Sequence, residues 1–141
     1  MIKVVTDSVA SLPKELIEKE NIEVVSLFLN EDGHEHVDAT MDLDDFYTRI
    51  YDMADNPPTS SQPSQSTLEE LFESFAKAGH EVLGIWISTG LSGAFDGVLR
   101  AARSVESRNI NFKYCMIDSS SCGFDEAFPV LEGARAVSYT H

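Results

Sequence analysis

The 141-residue chain has the length of one domain, and its 43 % of apolar and 24 % of charged residues are typical of a globular protein with a buried core. Its 24 acidic and 10 basic residues give a net charge of −14, which argues against nucleic acids and anionic membrane surfaces as partners. No apolar run reaches the roughly 18 residues of a membrane-spanning helix, and the first residues are unlike a secretory signal. The sequence therefore predicts a cytoplasmic protein that is not an integral membrane protein.

In the first half of the chain, apolar periodicity predicts two strands and two helices. The predicted elements are a buried strand over Ile2–Thr6, a helix from about Pro13, a strand over Ile22–Asn30, and a helix over Asp42–Ala54 with an apolar stripe. Asp42 is expected to cap the second helix. Asp32-Gly33 is a turn signal between the second strand and that helix.

The second half continues the alternation of helices and strands. A capping box at Ser66-Thr67-Leu68-Glu69 predicts a helix that ends at Gly79, and the later elements are a strand over Glu81–Ser88, a helix over about Gly93–Ser107, a strand over Phe112–Asp118 and a helix over about Asp125–Val137. This order predicts an α/β fold, a single domain with a largely parallel sheet and helices on both faces.

Ligands of parallel sheets bind beyond the carboxyl ends of the strands. Three such ends are rich in hydroxyl groups: Thr6–Ser8, Ser88–Gly93 and Asp118–Ser121. In "ISTGLSGAF", Ser92 and Gly93 come at the start of a helix, where free N–H groups and the helix dipole attract an anion. An ordinary helix cap at Ser92 explains the same residues, so both interpretations stay open.

The stretch "PPTSSQPSQS" at Pro57–Ser66 has five hydroxyl residues, three prolines and no charge. It has the composition of a linker that its prolines stiffen. The adjacent hydroxyls of Ser60 and Ser61 also suit a loop that holds a carboxylate or phosphate. The composition alone does not decide between these two interpretations.

Two other functions have partial support in the sequence. Ser92 on a strand-to-helix turn fits a small serine hydrolase, but Ala94 stands where the nucleophile elbow has glycine, and no histidine is marked as a base. The segment Glu31–Asp55 holds nine acidic residues and one basic residue, Arg49. That segment is either a solvated face or a module that docks a basic protein.

Metal and disulfide chemistry have weaker support. His34 and His36 would share one face of a strand, but two histidines without a third ligand make a weak site, so we expect an exposed hairpin without metal. Cys115 and Cys122 match neither a disulfide framework nor a zinc pattern. Cys115 lies in an apolar run and is expected to be a small core residue.

Four motifs occur in an order that resembles the N-terminal part of the DegV family, bacterial proteins that bind fatty acids. The motifs are "VVTDSVASLPKEL", "SSQPSQ", "ISTGLSGAF" and "MIDSSS", and the resemblance covers nearly the whole chain. It implies a two-lobed α/β protein that binds one long-chain fatty acid, with residues 1–141 as the N-terminal lobe and the C-terminal lobe absent. By position, the carboxylate contacts fall on Ser60, Ser61, Ser92 and Gly93. Members often have threonine at Ser60 and at Ala94, and the second difference removes a hydroxyl.

The resemblance also implies a carrier without catalytic residues or a cofactor, one that presents the fatty-acid carboxylate to a separate fatty acid kinase. A second lobe would add contacts to the carboxylate and cover part of the acyl chain. Without it, an exposed apolar wall favours self-association. The residues that either line an acyl slot or belong to the ordinary core are Phe28, Leu29, Phe46, Leu91 and Phe95.

Overall fold

The computed structural model describes residues 1–140, which form two β-sheets and five α-helices. Helices α1 to α5 span Lys14–Glu20, Leu43–Thr48, Gln65–Lys77, Ala94–Arg108 and Phe124–Thr140. Strands β1 to β7 span Ile2–Asp7, Ile22–Val25, Phe28–Glu31, His34–Val37, Thr59–Ser61, Glu81–Trp86 and Tyr114–Asp118. Short 3₁₀ turns occupy Ser8–Ala10 and Asp38–Thr40. Among the helices of residues 1–140, none combines the length and the apolar character needed to cross a membrane.

The main sheet is parallel throughout, in the order β2-β1-β6-β7. On one face, α3 and α4 bury a cluster that includes Phe72, Trp86 and Val98. On the other face, α5 and α1 cover a smaller cluster around Val4 and Val130. Burying each large apolar side chain contributes about 1.5–3 kcal/mol, so these two layers hold the fold together. The predicted α/β fold with helices on both faces is confirmed.

A second, antiparallel sheet of order β4-β3-β5 has no counterpart in the prediction. The prediction of one strand over Ile22–Asn30 is wrong, because the chain leaves the main sheet after Val25 and enters the second sheet at Phe28. Side chains satisfy the backbone at this break. Ser8 Oγ accepts from Leu27 N at 2.9 Å, and Ser26 Oγ accepts from Ala39 N at 3.0 Å.

Within the serine-rich stretch 57–66, Thr59–Ser61 form strand β5 of this second sheet, and the stretch ends in the first residues of α3. Strand β5 pairs with β3 so that Ser61 lies opposite Phe28 and Ser60 lies opposite Leu29. Pro63, just beyond the strand, is buried. The backbone ladder therefore fixes the position of both serines, and the slack-linker interpretation does not fit.

The turn predicted at Asp32-Gly33 joins β3 to β4. Both residues have left-handed backbone angles, with φ of +48° and +81°, as tight hairpin turns require. His34 and His36 lie on the exposed strand β4 of this hairpin, as expected.

Helix α2 is shorter than predicted. Asp42 caps it by accepting from Asp45 N at 3.0 Å, but the helix ends at Thr48 rather than at Ala54. Residues 49–56 continue as turns, with hydrogen bonds such as Asn56 N to Met53 O. The predicted apolar stripe is largely exposed, because no other element covers it.

Cys115 is exposed, so its prediction as a core residue is wrong. It lies on β7, which is an edge strand of the main sheet. Helix α5 packs over β1 and β6 and leaves this face of β7, including Ile117, open to solvent.

The cap of α3 is Ser64 instead of the predicted Ser66. Ser64 Oγ accepts from Thr67 N at 3.1 Å, whereas Ser66 is already inside the helix. We expect Ser64→Ala to lower the free energy of unfolding by about 1 kcal/mol, because the Thr67 N–H at the start of the helix loses its acceptor. Ser66→Ala is the matched control and should cost less than about 0.5 kcal/mol. Urea unfolding measures both, and a larger loss for Ser66→Ala would contradict the assignment of the cap.

Candidate functional site

A polar pocket lies where β5 meets the turn that precedes α4. It has a volume of about 400 Å³ and is lined by Leu27, Ser60, Ser61, Gln62, Leu91, Ser92 and Gly93. All four residues predicted to contact a ligand are in this lining. Two segments that are about thirty residues apart along the chain are therefore brought together at one pocket.

A more apolar pocket adjoins the polar one. It has a volume of about 210 Å³ and is lined by Val9, Leu27, Phe28, Leu29, Asp38, Ser60, Ile87, Leu91 and Ser92. The two pockets share Leu27, Ser60, Leu91 and Ser92. Ligand pockets usually measure about 300–1,000 Å³, so this apolar pocket has room for only part of a long apolar group.

Three of the five residues considered for an acyl slot line the apolar pocket. Phe28, Leu29 and Leu91 line the apolar pocket, whereas Phe46 and Phe95 line neither pocket. Phe95 instead packs against the core between the main sheet and helices α3 and α4.

Ser60 and Ser61 differ in their surroundings. Neighbouring residues of a strand point to opposite faces of the sheet, so the two hydroxyls cannot approach a ligand from the same side. Ser61 Oγ accepts from Asn30 Nδ2 at 3.2 Å. Ser60 lines both pockets, and within residues 1–140 its hydroxyl has no hydrogen-bond partner. Within residues 1–140, Ser61 Oγ therefore has one hydrogen bond and Ser60 Oγ has none, and both hydroxyls keep a proton that can be donated.

The start of α4 supplies further donors. Gly93 is the N-cap residue of α4 and supplies no side-chain acceptor, so Ser92 is not the cap. Ser92 Oγ accepts from Ala94 N at 3.1 Å, and its own proton stays free to donate to a ligand. The first-turn N–H groups of Phe95 and Asp96 have no acceptor within residues 1–140, and the helix dipole adds partial positive charge there.

The charges around the two pockets are few. Within residues 1–140, no lysine, arginine or histidine lines either pocket, and Asp38 is the one titratable residue in their linings. An anion at this site would be held by neutral O–H and N–H donors.

The third hydroxyl-rich segment, Asp118–Ser121, does not line either pocket but forms hydrogen bonds to the turn that precedes α4. Asp118 accepts from Thr89 Oγ1 at 2.7 Å and from Ser120 N at 2.8 Å. The Thr89 hydroxyl, followed by the Ser120 N–H, lowers the pKa of Asp118 below its ordinary value. Asp118 therefore stays ionised and ties β7 to the turn that carries Ser92.

Two residues of the site escaped the sequence interpretation. Asp7 accepts from Val9 N at 2.9 Å and from Ile87 N at 2.8 Å, and both donors belong to residues of the apolar pocket. Gln62 lies across the first turn of α4, where a Cβ atom added to Gly97 would come within 3.1 Å of Gln62 Oε1. The polar end of an apolar strand was a signal for Asp7, whereas nothing local pointed to Gln62.

Apart from Asp38, which lines the apolar pocket, the acidic residues of the segment Glu31–Asp55 lie outside both pockets. Arg49 forms ion pairs with Glu31 and with Asp45, the second at 3.2 Å. The Arg49 guanidinium lowers the pKa of Glu31. Docking of a basic protein on this segment stays a prediction. No cluster of three or more potential metal-ligating side chains occurs in residues 1–140.

Comparisons with known proteins match nearly the whole chain to one family. The model of the DegV family, described as a family of uncharacterised proteins, matches residues 1–139. A DegV domain-containing protein of Clostridium perfringens is 35 % identical over 135 residues, which are 96 % of this chain and 47 % of that protein. A second DegV domain-containing protein, from Listeria monocytogenes, is 37 % identical over 111 residues, or 77 % of this chain and 39 % of that protein.

The similar solved structures include proteins described as fatty-acid binding. A stearic acid-binding protein from Eubacterium ventriosum superposes with a TM-score of 0.88 at 29 % identity, over 98 % of this chain and 48 % of that protein. DegV from Bacillus subtilis, described as a fatty acid binding protein, superposes with a TM-score of 0.83, also at 29 % identity and with the same coverage. The chain thus spans about half the length of the relatives and structures that it matches.

Proposed function

The chain belongs to the DegV family, and from this membership we propose that it binds a long-chain fatty acid by the carboxylate, as the N-terminal lobe of a two-lobed protein. One observation carries the proposal. Ser60, Ser61, Ser92 and Gly93 line one polar pocket, and that pocket opens into an apolar one. The similarity to proteins described as binding stearic acid and other fatty acids supports the same ligand class.

The carboxylate is held by donors that carry no formal charge. The hydroxyls of Ser60 and Ser92 donate to its oxygens, and the N-terminal N–H groups of α4 add a favourable dipole. A hydrogen bond to a charged group contributes about 1.5–3 kcal/mol, so these donors are sufficient to orient the ligand.

The acyl chain enters the apolar pocket beside Phe28, Leu29 and Leu91. Each buried CH₂ contributes about 0.8 kcal/mol. Because the pocket measures only about 210 Å³, the far end of the acyl chain stays exposed unless a second lobe covers it. Affinity for this chain alone is therefore expected to be lower than for a two-lobed protein.

The proposal includes the role of a carrier in the cytoplasm that presents its ligand to a fatty acid kinase. The support is the position of the polar pocket at the protein surface, beside the exposed Ser60 and Leu91, where a second protein can reach the carboxylate. The carrier needs no catalytic residue of its own. ATP consumption by a purified fatty acid kinase that depends on the loaded protein would support this role, and equal consumption with free fatty acid would contradict it.

Self-association is a further part of the proposal. Phe124 and Phe128 lie one turn apart on α5, and both are exposed. The net charge of −14 opposes contact between copies, so association should increase as salt screens that charge. Sedimentation velocity at low and high salt tests this, and a monomer at both would contradict it.

The proposed ligand is tested by the lipid content of the purified protein. We expect mass spectrometry of the denatured chain to release about one fatty acid per chain, or added palmitate to bind with saturation. Leu91→Asp should weaken palmitate binding about tenfold or more, because a charge replaces an apolar wall and repels the carboxylate. Ile110→Asp is the matched control, since Ile110 is also exposed, at 93 % against 65 % for Leu91, but lies outside both pockets.

Two results would contradict the proposal. The first is the absence of both bound lipid and palmitate binding in the wild-type chain. The second is Leu91→Asp binding palmitate as tightly as Ile110→Asp, which would move the ligand away from the two pockets.

A further inference from the structure

Two carboxyl groups are buried together behind the apolar pocket. Asp7 ends β1 and Glu126 lies in the first turn of α5, and their relative exposures are 1 % and 0 %. The two carboxyls are neighbours, because Thr6, the residue before Asp7, donates by its Oγ1 to Glu126 Oε1 at 3.5 Å, and the charge of Asp7 acts on the pKa of Glu126. Two buried carboxyls in contact cannot both be ionised without a large electrostatic cost.

The hydrogen bonds assign different roles to the two groups. Both oxygens of Asp7 accept from backbone N–H groups, Oδ1 from Val9 and Oδ2 from Ile87. Such donors favour the ionised form. Glu126 Oε2 is buried and has no partner within residues 1–140 unless it carries a proton and donates to Asp7. The shared proton therefore belongs on Glu126.

The electrostatics agree with this assignment. Burial, followed by the charge of Asp7, raises the pKa of Glu126 from 4.5 to about 8. Burial also raises the pKa of Asp7, but the N–H groups of Ile87 and Val9 act in the opposite direction. At neutral pH the pair holds one proton and one negative charge.

No other charge of the described residues reaches this pair. Helix α5 packs on β1, β6, the Ser8–Ala10 turn and α1. Lys3 is at the far end of β1 from Asp7, and Glu81 is at the far end of β6. The turn has no titratable residue, and Glu20 of α1 lies beside Ala134 near the other end of α5. The remaining charged residues of α1 and α5 are exposed: Lys14, Glu15, Glu18, Lys19, Asp125, Glu132 and Arg135.

The pair is connected directly to the wall of the apolar pocket. Val9 and Ile87, whose N–H groups are held by Asp7, both line that pocket with Leu27 and Leu91. Loss of the shared proton would leave two buried negative charges that repel each other, and the least costly response is to move the end of β1 and the start of α5 apart. That movement displaces Val9 and Ile87.

We propose that Asp7 and Glu126 are a proton-sharing pair that positions the pocket wall and makes fatty-acid affinity fall as the solution becomes alkaline. The inference rests on the proposed function for the identity of the ligand only. By linkage, ligand binding in turn favours the protonated pair, and a shift of up to about one pH unit corresponds to an affinity change of up to about tenfold.

Protonation of Glu126 is tested first, by ¹³C NMR of side-chain carboxyl carbons in the wild-type chain. The signal absent from Glu126→Gln identifies Glu126. We expect it to titrate with a midpoint near 8. A midpoint near the ordinary 4.5 would overturn the proposal.

Coupling to the ligand is tested by palmitate affinity in wild type, Glu126→Gln and the exposed control Glu70→Gln. Between about pH 7 and 9, wild type and Glu70→Gln should lose about three- to tenfold more affinity than Glu126→Gln, which keeps a neutral donor to Asp7. The ionisation of palmitate itself changes the affinity of all three proteins equally, so it does not contribute to the difference between them. Equal losses in all three would overturn the coupling.

If no variant binds palmitate at any pH, the proposed function fails, and the pair is then judged without a ligand. The backbone amide signals of Val9 and Ile87 should shift with the same midpoint as Glu126 in wild type and stay constant in Glu126→Gln. Amide signals that do not move with Glu126 would overturn the positioning role.

The same pair makes the stability of the fold depend on pH. Between about pH 4.5 and 8, Glu126 keeps its proton when folded and loses it when unfolded, so the free energy of unfolding falls as the pH rises through this window. Glu126→Gln should remove this pH dependence, so the free energy of unfolding of the variant should increase relative to that of the wild type as the pH approaches 8. Urea unfolding at several pH values measures it, and parallel curves for the two proteins would contradict it.

Discussion

Asp7→Asn is expected to lower the free energy of unfolding by about 2–4 kcal/mol, the largest stability loss predicted for a polar residue of this protein. Both carboxylate oxygens accept from backbone N–H groups, at 2.9 Å from Val9 and 2.8 Å from Ile87. Asparagine has only one acceptor oxygen, so its NH₂ group would point at one of the two backbone N–H groups, and two donors would face each other. One N–H would remain unpaired, and the bonds to a charged acceptor would be lost.

Urea unfolding at about pH 6, where the unsubstituted pair holds its proton, measures this loss. Asp55→Asn is the matched control, because Asp55 is exposed, and it should change stability by less than about 0.5 kcal/mol. Similar stabilities for Asp7→Asn and Asp55→Asn would show that Asp7 does not hold the ends of β1 and β6 together.

The second large effect concerns the ligand. Replacing both Ser60 and Ser92 with alanine should reduce palmitate affinity at least about 100-fold, since each hydroxyl is proposed to donate to the carboxylate at about 1.5–3 kcal/mol. Ser61→Ala should cost less, because the side chain of Ser61 points to the face of β5 opposite that of Ser60. Displacement of a fluorescent fatty acid measures these affinities.

Ser74→Ala is the control for the loss of a hydroxyl, because Ser74 lies exposed on α3 and bonds only to Leu71 O in its own helix. It should bind palmitate as the wild type does. If the double variant also retains wild-type affinity, the carboxylate is not bound by Ser60 and Ser92.

The main sheet could be predicted because its strands are runs of β-branched and aromatic residues separated by amphipathic helices. The second sheet could not. Strand β5 is Thr-Ser-Ser, which has no apolar alternation, and it is a strand only because it pairs with β3. Strand β3 follows β2 after two residues within one apolar run, so periodicity alone cannot separate them.

The exposure of Cys115 could not be predicted either, because it too depends on tertiary structure. A sequence shows that a strand is apolar but not that it lies at an edge that α5 leaves uncovered. The shift of the α3 cap from Ser66 to Ser64 is a choice between two serines of equal capping ability, and the buried Pro63 just before the helix favours the earlier one.

The candidate site was predictable to the extent that it depends on topology. The meeting of strand ends predicts that Ser92 and Gly93 lie beside a ligand, whereas Ser60 and Ser61 were selected by a family resemblance. The buried pair had no local signal, because Asp7 and Glu126 are about 120 residues apart along the chain and an acid in the first turn of a helix is ordinary.

The most direct test of the account is an NMR titration of the ¹⁵N-labelled chain with palmitate that carries ¹³C at its carboxylate. We predict saturable shifts at about one palmitate per chain, concentrated in the amides of Ser60, Ser92 and Gly93 and in those of the first turn of α4. Ser60→Ala with Ser92→Ala should abolish these shifts at the same ligand concentration. Shifts that fall outside the two pockets, or no shift at all, would contradict a carboxylate site between β5 and α4.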